Sequence, residues 1–153
     1  MNAIGIYQTE LGAITVCADE TAVTAVHFAK DNDCLLPENR SALTDSTAWQ
    51  IQEYLAGRRR EFDLPLRPAG TPFQQRVWSA LMAIPYGEVR AYSEVAASIG
   101  NPRASRPVGS ACGANPLLLL IPCHRVVAKH GIGGYGGDVA RKRQLLLLEG
   151  IVY

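Results

Sequence analysis

A chain of 153 residues, 48% hydrophobic and 19% charged, has the composition of a folded globular protein of one or two small domains, which excludes a disordered chain. Its longest apolar stretch, LLLLIP at 117–122, is far short of the roughly 18 residues a membrane span requires, and MNAIGIYQTELG lacks the basic-then-apolar order of a secretion signal. The net charge is +1, yet residues 1–68 hold 6 Lys/Arg against 10 Asp/Glu and residues 69–153 hold 9 against 4. The carboxy-terminal half either meets an anion or is basic by chance.

In chain order, residues 3–7, 13–17 and 22–29 are short β-branched-rich runs separated by the turn-like TELG and ADET, and they predict three antiparallel strands. KDNDCLLPENRS, at 30–41, predicts a loop. Leu43, Trp49, Ile51, Tyr54 and Leu55 form a partly helical apolar stripe, so a helix is expected over about 43–56, ended by Gly57. The triple Arg58–Arg60 and the segment EFDLPLRPAG read as a linker with a boundary near 65–70. The second half opens on TPFQ, where Thr71 suits the N-cap, Pro72 the first helical position and Gln74 the far side of a capping box. Phe73, Val77, Leu81 and Ile84 then share one helical face until Pro85 and Gly87. Ser93 is expected to cap a short helix, SEVAASI, that ends at Gly100, and NPRA leads into a second short helix from about Ser105 to Cys112. Helix, Gly-containing turn and helix is the spacing of a helix-turn-helix, and equally of a plain helical hairpin. Arg103 and Arg106 at the start of the second helix favour a phosphate partner. A last helix is expected from near Asp138 to Gly150. The fold class is therefore α+β: residues 1–68 as an α/β domain with a short antiparallel sheet and a helix, and residues 69–153 as a mainly helical domain with a helix-turn-helix.

The chemistry concentrates in IPCHRVV, residues 121–127. A free thiol of pKa about 8.5 is only a few per cent ionised at neutral pH, so a nucleophilic Cys123 needs a base. His124 is nearest in sequence, but neighbours on an extended strand point to opposite sides. Either the chain turns at Pro122 or a water bridges the two groups. An orienting carboxylate is also needed, and of the few in this half Glu149, after the last helix, is a plausible third member. The alternative is a buried cysteine acting as a small apolar filler; Cys17, Cys34 and Cys112, with no adjacent histidine, are read as packing or surface residues. No CxxC pair and no zinc-like Cys/His spacing is present, so free thiols in a reducing cytoplasm, no metal and no cofactor are expected. A cysteine hydrolase on Cys123, His124 and Glu149 would explain the triad but leaves the helix-turn-helix arginines without a role.

Read together, TPFQQRVW, IPYGEVRAYSEVA, GNPRASRPVGSACGANP, IPCHRVV, GGYGG and LLLLEG resemble the consecutive blocks of the O6-alkylguanine-DNA alkyltransferases, densely over about 69–150 and only in general pattern over 1–68. The resemblance implies a DNA repair protein that flips the damaged base out and moves the alkyl group from guanine O6 to its own cysteine, once per molecule. Cys123 is similar to the acceptor, His124 to a base acting through water, and Glu149 to the carboxylate orienting it. Asn115 is similar to the asparagine bracing the turn, and Tyr92 to a tyrosine assisting the base and the 3′ phosphate. Arg106 resembles the arginine that fills the vacated stack, with Arg103, Ala104, Ser105 and Gly109 near the DNA. Tyr135, Val126 and Gly136 resemble the walls of the guanine pocket, with the Val126 and Cys123 carbonyls facing the base's amine. The implied partner is double-stranded DNA carrying O6-alkylguanine, bound through its minor groove by a monomer in the cytoplasm. Some members hold zinc in the first domain, but Cys17, His27 and Cys34 form no clear matching set. Relatives that lack the cysteine bind lesions without transfer, and this chain keeps Cys123. No additional regulatory domain is expected.

Overall fold

The computed structural model describes residues 2–30, 33, 37–135 and 138–153. It divides into two compact units, Met1–Ala69 with Pro116–Leu120, and Gly70–Asn115 with Ile121–Tyr153. Among the described residues no helix is long and apolar enough to cross a membrane.

In the first unit, β1 (Ala3–Tyr7), β2 (Ile14–Ala18) and β3 (Val23–Phe28) form an antiparallel meander in that order. Register is fixed by the buried face: Ile14, Val16, Val23 and Val26 are fully buried, and Val16 pairs with Val26. Helix α1 (Ala42–Leu55) starts at Ser41, whose side chain accepts from the Thr44 N–H at 3.1 Å while Thr44 Oγ1 accepts from the Ser41 N–H at 2.9 Å. Ala48, Ile51, Tyr54 and Leu55 bury its inner face, whereas Trp49 of the expected stripe is 63% exposed. A β-strand edge is a row of unpaired amides, and here short segments cover it. Val23 donates to the Pro65 carbonyl and accepts from Arg67, and Val26 donates to the Pro116 carbonyl and accepts from Leu118. The stretch that reads as a linker is thus partly an edge partner of β3, because flanking prolines remove donors without preventing Leu66 from bridging Val23.

In the second unit, α2 (Pro72–Met82) has the expected cap: Thr71 Oγ1 accepts from the Gln74 N–H at 3.1 Å and Gln74 Oε1 from the Thr71 N–H at 2.9 Å. Gly70 is required because any Cβ there would fall 2.4 Å from the Trp78 ring. Trp78 donates from Nε1 to the Ala111 carbonyl at 2.9 Å, tying α2 to the helix that carries Ala111. The two-residue strands β4 (Arg90–Ala91) and β5 (Val126–Val127) pair in parallel, and each is too short to leave a period in the sequence. Helix α3 (Tyr92–Ser98) follows β4 directly. Its cap is therefore Ala91, whose N–H donates to Glu94 Oε1 at 3.0 Å, and Ser93 lies inside the first turn instead of capping it. Gly100, at φ +79°, makes the turn toward α4 (Ser105–Gly113), and Val95, Ala96, Val108 and Ala111 pack the pair. Pro107 falls in the first turn of α4, where no donor is needed. Helix α5 (Val139–Leu148) is capped by Asp138, whose Oδ1 accepts from the Arg141 N–H at 3.2 Å.

Candidate active site

Pro122 supplies the turn. At φ −79° and ψ 65°, with the Cys123 N–H donating to the Ile121 carbonyl at 2.8 Å, it is the centre of an inverse γ-turn. One turn of 3₁₀ helix, Cys123–Arg125, follows. Asn115 donates from Nδ2 to the same Ile121 carbonyl at 2.9 Å and hydrogen-bonds the Cys123 thiol, so one side chain holds both the turn and the sulfur.

The turn leads His124 into the interior. Fully buried, it lies 2.8 Å through Nε2 from Glu149 Oε2. Glu149 also accepts from the Gly87 N–H at 2.9 Å and from Arg125 Nε at 2.9 Å and Nη2 at 3.1 Å. Burial alone would raise its pKa, but the hydrogen bonds from His124 and Arg125, with the Gly87 amide, overcome this and hold it at about 2. A permanent carboxylate on Nε2 places the imidazole proton there and makes Nδ1 the basic nitrogen. Burial lowers the His124 pKa more than Glu149 restores it, so the ring is neutral at physiological pH.

Cys123 is 6% exposed, and burial pushes its thiol up, opposed by the Asn115 hydrogen bond and the Lys142 charge. It therefore rests as a thiol, which gives a neutral base beside it a task. Lys142 is fully buried and donates from Nζ to the Val126 carbonyl at 2.6 Å and the Gly134 carbonyl at 3.0 Å. Burial brings its pKa down to about 8, against the pull of Cys123 and Cys112. Cys112 is pushed up to about 12, first by burial and then by Cys123.

The remaining expected residues fall into two groups. Tyr92 is half-buried: Gly109 lies against its ring, a Cβ on Gly133 would come within 3.0 Å of its hydroxyl, and Lys142 Nζ sits 5.9 Å from its centroid. Burial raises its pKa. Tyr135 is buried, and Gly136 lies outside the described residues, as does Cys34. The Val126 carbonyl already accepts from Lys142, and the Cys123 carbonyl from the Val126 N–H, so each keeps one lone pair for a further donor. Arg103 and Arg106 are exposed, Ser105 and Gly109 are half-buried, and Ala104 turns inward at 5% exposure. Ala104 is thus buried as a whole residue and contributes little to the surface that Arg103 and Arg106 expose.

Sequence reasoning missed Arg125, Lys142 and Gly87. Neither the arginine after Cys-His nor the lysine in Arg-Lys-Arg is assigned a role by the sequence. A signal existed for Lys142: Leu145 and Leu146, three and four residues on, place it on the buried face of α5.

The fold and the Cys–His–Glu arrangement define a helix-turn-helix protein with a cysteine-centred site. Residues 72–151 match the family described as 6-O-methylguanine DNA methyltransferase, DNA binding domain, and residues 3–68 match its ribonuclease-like domain. A methylated-DNA–protein-cysteine methyltransferase of Methanosarcina acetivorans is 41% identical over 95% of this chain and 96% of its own length. The constitutive one of Bacillus subtilis is 38% identical over 100% and 98%. A crystal structure of Mycobacterium tuberculosis OGT in complex with DNA superposes with TM-score 0.86 at 40% identity, covering 94% of this chain and 90% of that one. The chain belongs to the methylated-DNA–protein-cysteine methyltransferase family.

Proposed function

We propose that the protein repairs DNA by moving the alkyl group of O6-alkylguanine onto Cys123, one group per molecule. The observation that carries this reading is the Asn115-braced turn that presents Cys123 while burying His124 on Glu149. Glu149 keeps the Nε2 proton in place, and Nδ1 takes the thiol proton through a water. The sulfur attacks the alkyl carbon, the C–S bond forms as the C–O bond breaks, and the electron pair leaves on guanine. Tyr92 and the carbonyls of Cys123 and Val126 serve the leaving base, with Tyr135 and Gly136 as pocket walls. The product is a thioether, which water does not readily hydrolyse, and no second nucleophile regenerates the thiol.

The target atom lies inside a duplex, so the base must be extruded at a cost of a few kcal/mol. The exposed Arg106 is suited to fill the gap, with Arg103, Ser105 and Gly109 against the minor groove and the buried Ala104 supporting them. Residues 69–153 carry the whole of this machinery, residues 1–68 form a separate domain, and the working form is a cytoplasmic monomer. The test is intact mass after incubation with duplex DNA containing O6-methylguanine. A gain of one methyl, about 14 Da, that Cys123→Ala abolishes is expected of covalent transfer. Binding without mass gain would identify a lesion binder, and a burst followed by turnover on an acyl ester would identify a cysteine hydrolase.

A further inference from the structure

Arg125 is the least expected member of this cluster. It is 7% exposed, and its guanidinium spans two elements: Nη1 donates to the Ile84 carbonyl at 2.7 Å, Nε to Glu149 Oε1 at 2.9 Å, and Nη2 to Glu149 Oε2 at 3.1 Å. A planar fork can hold a carboxylate in one orientation, which a lysine ammonium cannot. The Gly87 amide binds Oε1 from the other side, so the oxygen that meets the imidazole is Oε2.

We propose that Arg125 is a positioning residue for transfer to Cys123: its fork fixes the Glu149 carboxylate against His124 Nε2, which leaves Nδ1 as the nitrogen that accepts the proton. The role rests on the reading of His124 as the base. The charged groups facing the imidazole are Glu149 after α5, Lys142 within α5 and Arg125 on the turn itself. Glu149 alone would favour the imidazolium, a form that cannot accept the thiol proton; burial opposes that charge most, and Arg125 and Lys142 add to the opposition. Arg125 is the one that also sets where the carboxylate points. A buried ion pair contributes little net stability, so a functional return is a reason to keep it.

The experiment measures the rate of methyl gain from O6-methylguanine duplex against pH for the wild type, Arg125→Gln, Arg125→Lys and His124→Gln, with rates taken per folded molecule. In Arg125→Gln, loss of one opposing charge raises the His124 pKa, so the acid-side fall in rate should move to higher pH. Its plateau should drop about tenfold as the carboxylate loses its clamp. Arg125→Lys keeps the charge and loses the fork, so its acid limb should stay in place while the plateau drops. A merely structural arginine would lower the melting temperature without moving the limb. A folded Arg125→Gln with the wild-type limb and plateau overturns the proposal. Should Arg125→Gln not fold, a wild-type plateau in Arg125→Lys overturns it and a lowered plateau with an unmoved limb supports it. Wild-type rates in His124→Gln would instead remove the base reading, and the role of Arg125 with it.

Discussion

The two units differ in what they bury alongside an apolar core. The first packs Ile14, Val16, Val23, Val26, Ile51 and Tyr54 into an apolar core and leaves ion pairs such as Arg59–Glu53, Arg67–Asp19 and Arg40–Glu38 outside it. The second places His124, Arg125, Lys142 and Glu149 in its interior. Apolar burial stabilises in proportion to area removed from water, whereas a buried charge must recover its lost hydration from specific partners. The first unit is therefore built for stability. The second gives some of it up to hold a neutral histidine, a fixed carboxylate and a thiol within one cluster.

The largest expected effect breaks the second arrangement at its centre. Glu149→Gln leaves Arg125 buried without its counter-charge and should destabilise the fold by about 3–5 kcal/mol, measured by denaturant unfolding. Methyl transfer per folded molecule should fall as well. In the first unit, Ile51→Ala should cost a comparable 2–5 kcal/mol or so by leaving a cavity, yet leave the transfer rate of the folded fraction unchanged. A parallel loss of chemistry there would erase the contrast. Removing the Thr71 cap hydroxyl with Thr71→Ala should cost about 1 kcal/mol. The smallest change is Glu53→Gln at the surface pair, within about 1 kcal/mol of wild type.

Unfolding against pH sharpens the same comparison. The folded Glu149 pKa of about 2 lies below that of the unfolded chain, near 4.5. Its stabilisation is complete above the unfolded value and is lost as pH falls from about 4.5 toward 2. Lys142 is about 8 folded and 10.5 free, so the unfolded chain binds more protons between those values and stability should rise with pH there. Lys142→Met should abolish that rise, and a rise that persists in the variant would show that the buried lysine is not its source.

Local signals were legible because they depend on few residues. Short β-branched-rich runs marked the three strands, Thr71-Pro72 and Gln74 marked the start of α2, and Gly57, Gly87 and Gly100, all with positive φ, marked the turns after α1, α2 and α3. Cys123, His124 and Glu149 were legible through the residue types nucleophilic chemistry needs, and the pairing of His124 with Glu149 follows that expectation. Where competing signals were equal, the reading failed. Ser93 and Ala91 both precede a helical run, and only the β4–β5 pairing decides that Glu94 closes the cap. The run at 117–121 looks like a single apolar stretch, yet Pro116–Leu120 joins the first unit and Ile121 the second. Arg125 was invisible as an interior residue because its partners, the Ile84 carbonyl and the Glu149 carboxylate, come from far along the chain, whereas Lys142 left only the faint signal of sharing a helical face with Leu145 and Leu146.

The most direct test of the central claim is to locate and count the transferred methyl groups by peptide mapping after reaction with excess O6-methylguanine duplex. The account predicts S-methylcysteine at Cys123 alone, one per chain, with Cys17, Cys34 and Cys112 unmodified and no further loss of lesion once the protein is consumed. Methyl on Cys112 in place of Cys123, or lesions removed in excess of protein, would contradict it.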